Sequence, residues 1–246
     1  MKKSSSQNAD YSFEGYCPIC EKSSLFTSQH EWFRDFLICQ SCPGGSVPRE
    51  RALALVLNEI RPNWRDLLIH ESSAANRGLS LKVRQEASGY VGSQYYPNHP
   101  WGSTVDGWRN ENLESLTFDD LSFDITISLD VMEHVYHPDR VFKEIHRTLK
   151  NGGVYICTFP VRKWQVNAWE RRFQLLPDGT RKDFKEPEIH GNPVSGEGSI
   201  VTVDWGYELH KQISEWAPFD VRVYRFSDQT HGILGEYTEV IVCSKR

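Results

Sequence analysis

Three titratable residues follow the end of a predicted strand: Asp130, Glu133 and His134. Such groups can accept a proton from a substrate, and the unperturbed pKa of histidine, about 6.5, suits that task near neutral pH. A second histidine, His190, stands between a glutamate and a Gly-Asn-Pro sequence in a long polar stretch. These four residues are the candidates for catalytic chemistry.

Four of the six cysteines have the spacing of a structural metal site. They form two C-x2-C pairs separated by eighteen residues, which predicts one tetrahedral Zn²⁺ held by four thiolates. Two disulfides or four unrelated thiols are the alternatives. A closed four-cysteine site has no open coordination position, so we assign it no catalysis. The predicted ligands are Cys17, Cys20, Cys39 and Cys42.

The elements around the three clustered titratable residues predict a parallel β-α-β unit. Phe123–Leu129 is rich in β-branched residues, as a strand requires. A helix is expected to begin at Pro138, and a glycine turn separates it from a second strand at 154–159. Ligands of open parallel sheets bind beyond the carboxyl ends of the strands. The titratable residues therefore mark the edge of a predicted ligand site.

Residues 123–160 resemble one region of class I S-adenosylmethionine (SAM) dependent methyltransferases of the type 11-like group. In that family "FD…EH" followed by "E..R.LK.GG" joins the fourth and fifth strands, and this chain matches the pattern closely. The resemblance implies a Rossmann-like, doubly wound α/β sheet of seven strands with an antiparallel last strand. It also implies SAM as the cofactor.

The resemblance further assigns cofactor contacts to the first half of the sheet. Residues 66–71 predict the first strand, and the family continues with E/D-x-G-x-G-x-G, whereas here small residues replace all but one glycine. Amides stand where the family has the acids that bind the ribose and the adenine. The implied contacts are His70, Glu71, Ser72, Gly78, Gln94, Asn112, Leu113 and Asp130.

The altered glycine loop leaves two interpretations open. The domain can retain SAM with changed contacts, which we expect because the surrounding sequence blocks are intact. It can instead be a degenerate, non-catalytic SAM fold that serves as a binding or scaffold subunit.

Three roles are open for Asp130, Glu133 and His134. His134 or His190 can act as a general base for a hydroxyl. Some ubiquinone-type and small-RNA methyltransferases present a similar acid-x-x-Glu-His run as metal ligands, so the resemblance also allows a divalent cation, with His190 as a further ligand. The Glu-His pair is widespread in the superfamily without metal, which favours a third role: capping the next helix and shaping the pocket floor.

The predicted organisation is a disordered leader (1–12), a zinc-ribbon-like module (13–47) and a methyltransferase domain (48–246) with an insertion (162–199). Outside the β-α-β unit, helices are expected at 48–61, 79–85 and 205–213, and strands at 90–95, 219–226 and 237–243.

Composition limits the partners and the compartment. A net charge of −5 and a pI near 6.0 argue against electrostatic binding of nucleic acid by the chain as a whole. No apolar run approaches the roughly 18 residues of a membrane span, and free thiols are typical of the cytoplasm. We expect a cytoplasmic SAM-dependent O-methyltransferase of a small molecule, a sugar or glycan, or a lipid-like metabolite. An RNA methyltransferase that grips nucleic acid with the zinc ribbon is the alternative.

Overall fold

The computed structural model describes residues 11–176, 178–192 and 195–246 of the 246-residue chain. Residues 1–10 of the predicted leader lie outside this part. Tyr11 and Ser12, the last two residues of the predicted leader, belong to a strand. Pro177, Pro193 and Val194 of the insertion also lie outside the described residues.

Residues 11–47 form the N-terminal module, a small antiparallel sheet with one short helix. Its strands pair in the order β1-β2-β3, and each cysteine pair begins at the end of a strand. Helix α2 follows and begins at a proline, as predicted. The elements are β1 (Tyr11–Cys17), β2 (Lys22–Ser28), α1 (Phe33–Phe36), β3 (Ile38–Cys39) and α2 (Pro48–Ile60).

The rest of the chain alternates strands and helices and then continues in hairpins. The first part contains β4 (Leu68–Ser72), α3 (Gly78–Glu86), β5 (Gly89–Gln94), β6 (Thr104–Val105), β7 (Trp108–Asn110), β8 (Phe123–Leu129), α4 (Pro138–Thr148) and β9 (Leu149–Thr158). The second part contains β10 (Trp169–Arg171), β11 (Phe173–Leu175), β12 (Arg181–Asp183), β13 (Ile189–Asn192), β14 (Ser195–Ile200), β15 (Val203–Trp205), α5 (Leu209–Trp216), β16 (Phe219–Tyr224) and β17 (Val240–Lys245).

Eight strands form the central sheet, in the order β16-β17-β9-β8-β4-β5-β7-β6. The strands from β9 to β7 in this order pair in parallel, and β17 is antiparallel to both of its neighbours. The predicted Rossmann-like α/β class with an antiparallel last strand is confirmed. The eighth strand is the two-residue β6, which lies where the sequence predicted no strand.

Side chains of the central strands alternate between two hydrophobic layers. In β9, Val154 and Ile156 pack in the layer of α2 and α3, whereas Tyr155 and Cys157 pack in the layer of α4 and α5. Buried side chains of the N-terminal module, among them Phe26, belong to the first layer. The module therefore shares the core of the main domain.

Several predicted boundaries were displaced. Strand β9 begins at Leu149, so the predicted glycine turn lies inside it, and β17 spans Val240–Lys245 in place of 237–243. Residues 64–66 form a 3-10 helix, so the first strand begins at Leu68. Trp205 ends strand β15, and the helix predicted at 205–213 begins only at Leu209. No helix within the described residues has the length and apolar character needed to cross a membrane.

Candidate active site

A cavity of about 930 Å³ opens at the carboxyl edge of the parallel strands. Ser72 and Gln94 reach it from the ends of β4 and β5, and Asp130 reaches it from the residue after β8. Trp32 and Phe36 of the N-terminal module form part of its wall. The cavity therefore lies where open parallel sheets bind ligands, and the module covers one side of it.

Five of the predicted cofactor contacts line this cavity: Ser72, Gln94, Asn112, Leu113 and Asp130. The Gln94 amide nitrogen donates to the Ala74 carbonyl at 2.7 Å, so its oxygen is the atom that can accept from a ligand. The Asn112 oxygen already accepts from the backbone N–H of Glu114 at 2.9 Å. Asn112 can therefore donate hydrogen bonds to a ligand through its amide N–H groups.

Two predicted cofactor contacts, His70 and Glu71, are buried away from the cavity. The His70 ring lies 2.9 Å from the Ser93 hydroxyl and packs against Phe118 and Phe123. Burial first, and then the positive charge of Arg109, lowers the pKa of His70 to about 3, which keeps it neutral. His70 is a core residue.

The one remaining glycine of the loop, Gly78, also lies outside the cavity wall. Its surroundings leave little room for a side chain. Its φ is +52°, and a Cβ at this position would approach a Glu50 carboxylate oxygen to 2.3 Å. Glu50 accepts from the Val47 N–H at the start of α2. The positive φ and the neighbouring Glu50 carboxylate therefore both disfavour a side chain at this position.

Glu71 accepts hydrogen bonds from Ser80 and from the Tyr90 hydroxyl, the latter at 2.7 Å. Burial raises its pKa from 4.5 to about 7, although these hydrogen bonds act in the opposite direction. A carboxyl group with a raised folded-state pKa costs stability as the pH rises from the unfolded pKa to the folded one. We expect Glu71→Gln to stabilise the protein at pH 8 by up to about 2 kcal/mol and to have little effect at pH 4.

Urea unfolding at the two pH values measures this difference. The exposed Glu86→Gln on α3 is the control, since its ion pairs lie on the surface. An equal effect of Glu71→Gln at both pH values would contradict the assignment of a protonated, buried carboxyl group.

Asp130 faces the cavity, but both of its carboxylate oxygens bind arginines. Arg34 of helix α1 contacts one oxygen at 2.7 Å, and Arg49 of helix α2 contacts the other at 2.6 Å. Burial alone raises the pKa of Asp130, but the two guanidinium groups lower it below its ordinary value. Asp130 thus joins the module to the sheet edge as a permanent anion. Neither arginine was among the predicted site residues.

Glu133, His134 and His190, three of the candidate catalytic residues, converge, and the two histidines line the cavity. The Glu133 oxygen Oε1 lies 3.8 Å from His134 Nε2 and 3.6 Å from His190 Nδ1, and the two rings are perpendicular with centroids 5.3 Å apart. Hairpin β13–β14 carries His190 to this position. The nearby Glu133 carboxylate raises the pKa of His190, and Glu188 adds to that effect.

Glu133 does not cap a helix. Helix α4 begins only at Pro138, and neither carboxylate oxygen of Glu133 has a hydrogen-bond partner within the described part of the chain, although the residue is only 2% exposed. Thr202 instead holds the Glu133 backbone, since its N–H donates to the Glu133 carbonyl at 2.7 Å. The capping role expected for this pair is therefore wrong.

The four cysteines of the N-terminal module converge, with their sulfur atoms all within 4.8 Å of one another. The Sγ atoms of Cys17 and Cys42 are 3.6 Å apart, and those of Cys20 and Cys39 are 3.9 Å apart. Zn–S bonds of 2.3 Å in a tetrahedron require about 3.8 Å between sulfurs, whereas a disulfide requires about 2.05 Å. All six cysteines are free thiols. The geometry fits a tetrahedral metal.

Residues 91–157 match a family model described as a methyltransferase domain. Over these residues the chain is similar to a methyltransferase domain. The match covers strands β5 to β9, including the candidate cluster around Asp130. No curated protein matches the sequence.

Solved structures share the fold of this domain. An S-adenosylmethionine dependent methyltransferase from Mesorhizobium loti superposes with a TM-score of 0.52 at 16% identity, covering 79% of this chain and 98% of its own. A protein from Pyrococcus horikoshii OT3 superposes with a TM-score of 0.51 at 15% identity, covering 80% of this chain and 90% of its own. The chain thus shares its fold with a SAM-dependent methyltransferase.

Proposed function

We propose that this protein transfers the methyl group of SAM to an oxygen of a small-molecule acceptor, such as a sugar or a lipid-like metabolite, in the cytoplasm. The observation that carries the proposal is one cavity whose wall contains both the predicted cofactor contacts and His134 and His190 of the Glu133–His134–His190 cluster. Its volume of about 930 Å³ lies at the upper end of the roughly 300–1,000 Å³ typical of small-molecule sites. That supports a cofactor and a small acceptor bound side by side.

The residues of the wall suit SAM in two respects. The Gln94 oxygen can accept from a ribose hydroxyl, and Asn112 with Leu113 offers an amide and an apolar surface to the adenine. SAM supplies an electrophilic methyl group on a sulfonium. As the new oxygen–carbon bond would form, the carbon–sulfur bond would break with its electron pair left on sulfur, and a base at the cavity wall would accept the proton of the acceptor hydroxyl. The chain's task is to align the two reactants.

The charge of the cavity wall favours a cationic cofactor over a polyanion. Six carboxylates and four arginines line it, so the wall has no excess of positive charge. A nucleic-acid groove requires such an excess. The carboxylates are Asp35, Glu50, Glu111, Glu114, Asp130 and Glu188, and the arginines are Arg34, Arg49, Arg77 and Arg162.

For the four-cysteine cluster we propose a structural Zn²⁺. The sulfur spacing supports tetrahedral coordination, and the module is too small to form a core of its own. The metal would hold the module against α2 and thereby complete the cavity wall.

We expect Gln94→Ala to weaken S-adenosylhomocysteine binding about tenfold, because one buried hydrogen bond to the ribose is worth about 1.4 kcal/mol. Isothermal titration calorimetry measures the affinity. The matched control is Gln165→Ala, which also removes a buried glutamine bonded to a backbone carbonyl but does not line the cavity. Equal weakening in both variants would argue for a general loss of stability.

Two measurements test the proposed function as a whole. SAM and S-adenosylhomocysteine should both bind the purified protein, and failure to bind at millimolar cofactor would overturn the enzymatic proposal in favour of a scaffold. Radiolabelled methyl transfer from SAM should then label the small-molecule fraction of a cell extract. Label that appears in the RNA fraction alone would overturn the proposed acceptor class.

A further inference from the structure

We propose that Glu133, His134 and His190 form a second metal site, which binds a first-row divalent cation such as Zn²⁺ or Fe²⁺ with two histidines and one carboxylate. The site is separate from the four cysteines. It goes beyond the proposed function, because metal binding by these residues does not require methyl transfer.

The outer nitrogen of each histidine is held by an oxygen acceptor. His134 Nδ1 lies 2.8 Å from the Ile200 carbonyl, and His190 Nε2 lies 3.0 Å from a Glu188 oxygen. Both outer nitrogens therefore carry the hydrogen, and in the neutral rings the lone pairs are on the inner nitrogens, which face Glu133. Metal-binding histidines are oriented in this way by carbonyl or carboxylate partners.

Glu188 is itself fixed as an anion. Arg162 contacts its two oxygens at 2.9 and 2.7 Å, and Arg172 approaches it to 3.2 Å. The ionised Glu188 accepts a hydrogen bond from His190. Such a carboxylate–histidine pair is what orients the histidine ligands of metal sites.

The buried carboxylate of Glu133 needs a partner that compensates for its charge. It is 2% exposed, and both carboxylate oxygens lack a hydrogen-bond partner among the described residues. An isolated buried carboxylate is strongly unfavourable. Its Oε1 lies 3.8 and 3.6 Å from the inner nitrogens of His134 and His190. When both rings are neutral, these three atoms are all acceptors, and a cation between them would stabilise the arrangement.

The spacing of the three atoms suits a metal of this class. Bonds of 2.0–2.1 Å in a tetrahedral site place the ligand atoms roughly 3.4 Å apart, so the observed separations from Glu133 need to contract by only a few tenths of an ångström. Imidazole ligands favour zinc and iron over Mg²⁺ or Ca²⁺. His134 and His190 line the cavity and Glu133 lies behind them, so the open coordination positions would face the acceptor.

A cation at this position would bind the acceptor oxygen and lower the pKa of its hydroxyl. This use of the metal rests on the proposed function. The binding experiment below contains no SAM, so its failure and the failure of methyl transfer can be distinguished.

Metal stoichiometry tests the site. Protein stripped by a chelator and titrated with Zn²⁺ or Co²⁺ should bind two equivalents, and only the four-cysteine equivalent of Co²⁺ should show thiolate charge-transfer absorption. Glu133→Gln should keep that equivalent and weaken the other by about 100-fold. Glu188→Gln, which removes only an orienting carboxylate, should weaken it by about 10- to 100-fold.

Glu239→Gln is the matched control, because Glu239 is also buried with an unpartnered oxygen but belongs to no such cluster. It should bind two equivalents like the wild type. A wild-type protein that takes up only the four-cysteine equivalent would show that Glu133 and His190 share a proton instead, and would overturn the proposal. Equal metal binding by Glu133→Gln, or binding of Mg²⁺ as tight as that of Zn²⁺, would also overturn it.

Discussion

Cys39→Ser should abolish zinc binding by the N-terminal module and weaken S-adenosylhomocysteine binding at least tenfold. Cys39 is 1% exposed and lies on β3, inside the four-sulfur cluster. Structural zinc contributes apparent free energies of about 10–16 kcal/mol in zinc-finger peptides. Even partial loss of this contribution should unfold residues 11–47, and the global free energy of unfolding should fall by about 3 kcal/mol or more.

The cofactor site should respond because the module forms part of its wall. Trp32, Arg34, Asp35 and Phe36 all line the cavity. Arg51 of α2 connects the module to the main domain. Its guanidinium donates to carbonyl groups of the module and to the Gly232 carbonyl of the main domain. Loss of the metal should therefore open the cavity to water, and the ligand contacts on that side should disappear.

Metal analysis, chemical denaturation and calorimetry measure the three effects on one preparation. Cys157→Ala is the control: it removes a buried thiol from strand β9, far from the cluster in the sequence, and should cost about 1 kcal/mol with zinc content unchanged. Fewer than half an equivalent of zinc in reduced wild-type protein would contradict the zinc assignment even if Cys39→Ser failed to fold.

The β-α-β unit around Asp130 could be predicted because its signals are local. Phe123–Leu129 is observed as one strand and α4 begins at Pro138. A proline in the first turn and an apolar face each act within a few residues. The predicted glycine turn, in contrast, lies inside strand β9. The parallel pairing and the ligand edge then follow from general rules of α/β topology.

His70 and Glu71 were assigned to the cofactor because the first strand was expected to end at residue 71. It runs to Ser72. Residues within a strand point alternately to the two faces of a sheet, so His70 packs with Phe118 on one face, while Glu71 binds Tyr90 elsewhere. A shift of one residue at a strand end is beyond the resolution of pattern reasoning.

The arginine contacts of Asp130 could not be predicted, because 96 residues separate Arg34 from its partner. One local signal did exist. Arg49 stands in the first turn of α2, where the helix dipole disfavours a cation, and a carboxylate partner compensates for this position. His190 was similarly remote, and only the fold of hairpin β13–β14 brings it to Glu133.

Asp130→Asn should destabilise the protein by about 3 kcal/mol at pH 7. The substitution isolates the charge, because Asp130 has a φ of +53° and asparagine tolerates this left-handed conformation well. Arg34 and Arg49, whose side chains are 9% and 14% exposed, would lose their shared anion. Breaking a buried ion pair by removing one partner costs about 3–5 kcal/mol, and the lower end applies because Asp35 still pairs with both arginines.

The difference between wild type and Asp130→Asn should depend on pH in one direction. Because the folded-state pKa of Asp130 is lowered, its stabilisation is present above the unfolded pKa of about 3.9 and is lost as the pH falls through the folded pKa. Urea unfolding should therefore show the two proteins converging below about pH 4. Asp139→Asn, which breaks the exposed pair with Lys143, should cost less than about 0.5 kcal/mol.

Zinc content separates the two ways in which the module can fail. Asp130→Asn leaves all four cysteines in place, so it should retain one equivalent at the cysteine site while the module detaches from the sheet edge. Proteolysis should then cleave near helix α1 more readily than in wild type, with the metal still bound. A destabilisation equal to that of Asp139→Asn would mean that the Arg34–Asp130–Arg49 contacts contribute no more than a surface ion pair.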